Sequence, residues 1–142
     1  MGEMVESIGP AVDQITVQNI DTRVNDIGVT IQKPGFSWLV MGVIRFQQAV
    51  ADPERRCDIL FAVDGVVIEI TRENAIFNWT GTNFRSIQAT AVIEGLVPGN
   101  EIQLFGLQSV DVTTNYAANL CRLQVIAFGP EFRPQGFLLD TG

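Results

Sequence analysis

The chain has 142 residues, 46% of them hydrophobic, a formal net charge of −7 and no histidine. That length is one ordinary domain with a full-sized core, and the apolar content is too high for a disordered chain. The absence of histidine removes Ser-His-Asp catalysis, histidine zinc sites and histidine pH switching together.

Other classes fall to the same kind of argument. Phosphate binders cluster Lys and Arg, whereas Lys33 is the single lysine here and, of the arginines, only Arg55 and Arg56 are adjacent. A nucleic-acid partner is therefore not expected. No apolar run approaches the ~20 residues of a membrane helix, so no membrane is expected either. The opening MGEMVESIGPAVDQ is acidic and polar, unlike a secretory signal, and lacks the Ser/Thr of a myristoylation site. Cys57 and Cys121 are far apart in sequence with no CxxC spacing, which favours buried free thiols over a disulfide.

Residues 1–28 differ in pattern from the rest. Val5, Ile8, Val12 and Ile15 recur every three or four residues, as on one helical stripe. Val17, Ile20, Val24 and Ile27 form a second stripe out of phase, and Gly9-Pro10 interrupts any helix that begins earlier. We read 1–28 as an arm or short trimeric stalk that docks on a partner through Val5, Ile8, Val12, Ile15 and Ile20. The competing reading is an N-terminal strand or helix folded onto its own domain.

The main domain is expected over 29–129, opened by the turn Gln32-Lys33-Pro34-Gly35. Phe36 to Gln47 reads as a long strand, with Trp38, Val40, Ile44 and Phe46 on one face and Leu39, Met41 and Val43 on the other. A strand at the surface of a lone sandwich should be polar on one side. Two apolar sides suggest that one meets the core and the other, Leu39, Met41 and Val43, meets a neighbouring subunit.

Ala51 to Arg56 reads as a charged loop and Cys57 to Val63 as a strand. Asp64-Gly65 is a two-residue hairpin turn that returns through Val66 to Ile70. Thr71 to Arg85 is polar; its sequon Asn78-Trp79-Thr80 is taken as accidental. Ser86 to Gly106 is the firmest stretch: strand, Pro98-Gly99-Asn100 turn, strand. Ile87, Ala89, Ala91 and Ile93 share a face, as do Ile102 and Leu104. Gln108 to Asn119 reads as a loop and Leu120 to Phe128 as the last strand. The tail 130–142 carries the apolar cluster Phe137, Leu138 and Leu139, read as a contact either with a partner or folded back on the domain. Strands divided by turn signals, with hardly any helix, indicate an all-β antiparallel sandwich.

The order of these pieces resembles the C1q/TNF-like jelly-roll family. The residues that carry it are Trp38-Leu39-Val40-Met41-Gly42-Val43-Ile44-Arg45-Phe46, then Ile59-Leu60-Phe61-Ala62-Val63 running into Asp64-Gly65. Ala89-Thr90-Ala91-Val92-Ile93, Pro98-Gly99-Asn100 and Glu101-Ile102-Gln103-Leu104 follow, and Leu123-Gln124-Val125-Ile126-Ala127-Phe128 closes the set. The resemblance implies a homotrimer packed about a threefold axis. Similar jelly rolls occur among phage capsid decoration (cement) proteins, fibre tips and spore-surface proteins. By that analogy, the expectation is a virion protein that decorates the capsid surface and binds the major capsid protein through its arms. A receptor- or glycan-binding head is the alternative, with Thr113-Thr114-Asn115-Tyr116 and Trp79 as its contacts.

No chemistry competes with these readings. No carboxylate spacing suggests the facing pair a glycosidase needs. Asp52, Glu54 and Asp58 are the nearest thing to a calcium cluster, and Arg55-Arg56 would neutralise it. No catalytic residue, metal or cofactor is expected, and the chain is not expected to be an enzyme.

Overall fold

The computed structural model describes residues 4–48, 52–79, 83–109 and 114–128. Among these there is no helix. Eleven strands run in order: β1 Met4–Gly9, β2 Gln14–Ile15, β3 Thr22–Arg23, β4 Val29–Thr30, β5 Ser37–Gln48, β6 Asp52–Val63, β7 Val66–Trp79, β8 Asn83–Ile93, β9 Glu101–Gln108, β10 Thr114–Tyr116 and β11 Cys121–Phe128. They form two antiparallel sheets.

The first sheet is built on β5. β8 pairs along one of its sides; β11 and β10 share the other, with β1 outside β11 and β2 outside β10. The second sheet runs β3-β9-β6-β7, with β4 also on β9. The inward faces meet in one core, where Val40, Ile44 and Phe46 of β5 oppose Ile59 and Phe61 of β6 and Ile102 and Leu104 of β9. Gly42 sits where the layers approach closely: a Cβ there would come within 2.8 Å of the Phe61 ring and 2.9 Å of the Leu104 side chain. Gly106 plays the same part beneath Tyr116 and Ile44.

The long strand and its two faces lie where the sequence puts them. Trp38, Val40, Ile44 and Phe46 are buried, and Leu39, Met41 and Val43 are half-buried on the outward side. The Asp64-Gly65 turn also forms, with positive φ at both residues, the geometry that matches strand twist in a two-residue hairpin.

Other expectations need correction. The separate 1–28 arm does not form. β1 lies along β11 from Met4↔Ile126 to Gly9↔Cys121, and β2, β3 and β4 complete the edges beside β10 and β9. Val24 and Ile27 are fully buried, and the Val24 amide donates to the Leu104 carbonyl at 2.9 Å. The three-to-four spacing reflects short strands separated by bends, each of which resets the in-out alternation. Helix is the costlier choice for a segment that can pair its amides with waiting sheet edges.

The supposed loop 51–56 is largely the start of β6, and the polar stretch after Thr71 is the second half of β7. Arg55 is turned into the interior, where its guanidinium sits 5.8 Å from the Trp79 ring and donates to the Thr114 hydroxyl. Charged residues therefore occur in strands here because aromatic and hydroxyl partners receive them inside. Ser86 to Gly106 is two strands but not a hairpin. β8 belongs to the β5 sheet and β9 to the other, so the Pro98-Gly99-Asn100 connection crosses between layers. Asp64 fastens that crossing, accepting from the Glu101 amide at 2.9 Å and the Asn100 amide group at 2.8 Å. The tail cluster Phe137, Leu138 and Leu139 lies outside the described residues.

Candidate interaction surface

Register fixes which side chains share the outward face of the β5 sheet, because residues in register across antiparallel strands project to the same side. One row crosses four strands with only apolar side chains: Met4 on β1, Ile126 on β11, Leu39 on β5 and Val92 on β8. Its two ends are open to solvent, Met4 at 52% and Val92 at 62% exposure. The next row is Glu6, Gln124, Met41 and Thr90; the third is Ile8, Arg122, Val43 and Gln88. Glu6 accepts from the Gln124 side chain at 2.8 Å and lies 3.8 Å from Arg122. The charges on this face are thus turned toward each other and leave Leu39, Met41 and Val43 only partly covered.

The far end of the same face changes character. Arg45 lays its guanidinium over the Phe84 ring, 4.9 Å from the centroid. Gln47, Asn115 and Ile15 continue in register toward β2.

The five residues assigned to a partner-binding arm are all exposed, though the segment that holds them is folded. They do not share a stripe. Val5 is in register with buried Val125, whereas Ile8 is in register with outward-facing Arg122. Val12 at 72% and Ile15 at 70% stand near the β2 edge, and Ile20 lies between β2 and β3. They ring the sandwich rather than extend from it.

The outward face of the second sheet is organised by polar contacts instead. Between Ile59↔Glu73 and Phe61↔Ile68 the β6–β7 register jumps, so residues 69–72 bulge out of the ladder opposite Leu60. Thr71 secures the bulge: its hydroxyl donates to the Ile68 carbonyl at 2.6 Å and accepts from the Phe61 amide at 3.0 Å. Arg72 then reaches three carboxylates, with two bonds to Asp21 at 2.7 and 3.0 Å, one to Asp58 at 2.8 Å and two to Glu69 at 2.5 and 3.0 Å. Arg56 grips Asp58 from the other side with two bonds of 2.8 Å.

The Asp58 carboxylate is fully buried, and both its oxygens are used. Hydrogen bonds to Glu69 and Asp21 hold Arg72 above its ordinary guanidinium range, and Arg72 in turn lowers Glu69. The expectation that arginine neutralises Asp58 holds through Arg56 and Arg72, since Arg55 faces the interior. Sequence reasoning missed Arg72 and Asp21 because 51 residues separate them.

Among the described residues no group of three His, Cys, Asp or Glu side chains is placed to hold a metal ion. Cys57 and Cys121 are free and buried; burial pushes their thiols up to about 12 and about 11. They are protonated at neutral pH and poor nucleophiles. Of the contacts named for a receptor- or glycan-binding head, Thr113 lies outside the described residues and Asn115 is half-buried; Trp79, Thr114 and Tyr116 are buried, and the Tyr116 hydroxyl donates to the Thr22 carbonyl at 2.7 Å. They serve the core and offer no stacking surface. An apolar cleft of about 310 Å³ opens between β1 and β4 at one edge of the sandwich.

No family model matches the sequence, and no curated protein matches it either. Among solved structures, the chain is similar to Eiger TNF from S. frugiperda. The TM-score is 0.52 and the identity 8%, over 89% of this chain and 92% of that one. That likeness shows the fold alone, and the fold is a TNF-like jelly roll.

Proposed function

We propose that this chain is a structural protein that closes into a homotrimer and decorates a larger shell, a phage capsid being the setting the layout fits best. The observation that carries the reading is the apolar row Met4–Ile126–Leu39–Val92 with Met41 and Val43 beside it. A solvent-facing sheet surface ordinarily alternates to polar side chains. Here one row of the face stays apolar across four strands, as a surface completed by another copy would. The family resemblance drawn from the sequence supports three copies about an axis.

In this reading the exposed apolar residues at the sandwich edge, Val12, Ile15 and Ile20, take the role first given to a free arm and contact the major capsid protein. Lacking any assembled catalytic set, the described surface gives an enzymatic reading no support. Co-sedimentation with purified shells tests the proposal. The wild-type chain should pellet with them, and a Val12→Glu/Ile15→Glu variant should keep its oligomeric state but lose at least tenfold in binding. Equal binding by both would overturn the role given to this edge.

A further inference from the structure

The cleft between β1 and β4 has a floor of buried Val29, Trp38 and Val125, and Val5, Phe36 and Ala127 around it. Among the described residues its only charged lining residue is Lys33, the single lysine of the chain. An apolar trough with one cation at its edge suits an apolar segment that carries a carboxylate at one end. The chain itself supplies such a segment. Ala127 lines the cleft and Phe128 ends β11, so the last described strand delivers the chain to this opening. Residues 129–136 follow, enough when extended to span about 30 Å. Then comes Phe137-Leu138-Leu139-Asp140: three large apolar side chains and an acid.

We propose that this cleft seats the chain's own C-terminal segment, Phe137, Leu138 and Leu139 against its apolar lining and Asp140 against Lys33. Three features converge: the point where β11 ends, the apolar match, and the pairing of the one lysine with a carboxylate directly after the apolar cluster. The segment would cover the edge between β1 and β4 and lend packing to Val5. This inference stands independently of the shell-binding role.

The single lysine makes a direct test possible in the intact chain. A carbodiimide joins an amine to a carboxylate in contact with it, with loss of water. Apart from the terminal amine, Lys33 is the only aliphatic amine available. An equal mixture of ¹⁴N- and ¹⁵N-labelled protein, treated briefly, digested and read by mass spectrometry, should give Lys33–Asp140 as the dominant lysine link. Both halves should carry the same isotope. A Leu138→Asp/Leu139→Asp variant and the reciprocal Val5→Asp variant should each lower that yield at least fivefold. Lys33 linked only to other carboxylates, or an unchanged yield in the variants, would overturn the proposal. Links that mix isotopes freely would overturn it too, by placing the segment on another copy.

Discussion

The outward face of the β3-β9-β6-β7 sheet buries Asp58, Leu60 and Ala62 under its own bulge and ion pairs, whereas the outward face of the β5 sheet leaves Leu39, Met41 and Val43 half-exposed. Both faces belong to one sandwich and both have strands rich in apolar residues. The first is finished within a single chain: residues 69–72 bulge out opposite Leu60, and Arg72 binds the carboxylates around it. The second has no covering element among the described residues, and its charges pair with each other instead of screening the apolar row. Apolar area left in water forfeits about 25 cal/mol per Å² that burial would recover. A face that its own chain does not finish is where association gains most.

The largest effect should come from breaking the finished face. Arg72→Met takes both arginine hydrogen bonds from Asp21 and leaves Asp58 held by Arg56; unbalancing a buried ion network costs about 3 kcal/mol or more. Urea unfolding should show that loss. A change under about 1 kcal/mol would mean the bulge is held by packing and not by charge.

The thiols give the next effect, with a definite sign. Cys57 titrates near 12 when folded, above the ordinary thiol value of about 8.5. Between those limits the unfolded chain binds fewer protons than the folded one, so stability is full below about pH 8.5 and falls as pH rises toward 12. Cys121 and Tyr116, raised by burial, add to the same trend. Thermal melts should therefore drop steeply from pH 9 to 11, and Cys57→Ala should flatten the slope. An equal slope in that variant would locate the alkaline sensitivity elsewhere.

Thr71→Val removes two hydrogen bonds at the base of the bulge and should cost about 1–2 kcal/mol in the same unfolding measurement. The smallest effect belongs to Ile70, 92% exposed at the bulge. Ile70→Ser should move stability by less than about 0.5 kcal/mol. A larger loss would show that the second sheet also depends on a partner.

Much of the fold is legible in the sequence because the long strand alternates for its whole length. Trp38 to Phe46 reads with a period of two, and Asp64-Gly65 names its own turn type. What stayed hidden is set by pairing at a distance. Val24 and Ile27 look like part of a helical stripe until the sheet edge at β9 is present to receive them. Nothing local says that β8 and β9 part into different layers, because Ile87 to Ile93 and Ile102 to Leu104 alternate identically whether or not they pair. Arg55 reads as solvated because its aromatic and hydroxyl partners, Trp79 and Thr114, lie far along the chain. The uncovered face was readable in Leu39, Met41 and Val43, yet its breadth was not: only register brings Met4, Ile126 and Val92 into line with Leu39.

Light scattering coupled to size exclusion tests that face most directly. The wild-type chain should run at about 47 kDa, three times its 15.6 kDa mass. Met41→Asp, a half-buried position that a lone sandwich tolerates, should yield a folded 15.6 kDa monomer or aggregated material. A wild-type protein that is monomeric at every concentration, or a Met41→Asp protein that remains a monodisperse trimer, would contradict the account.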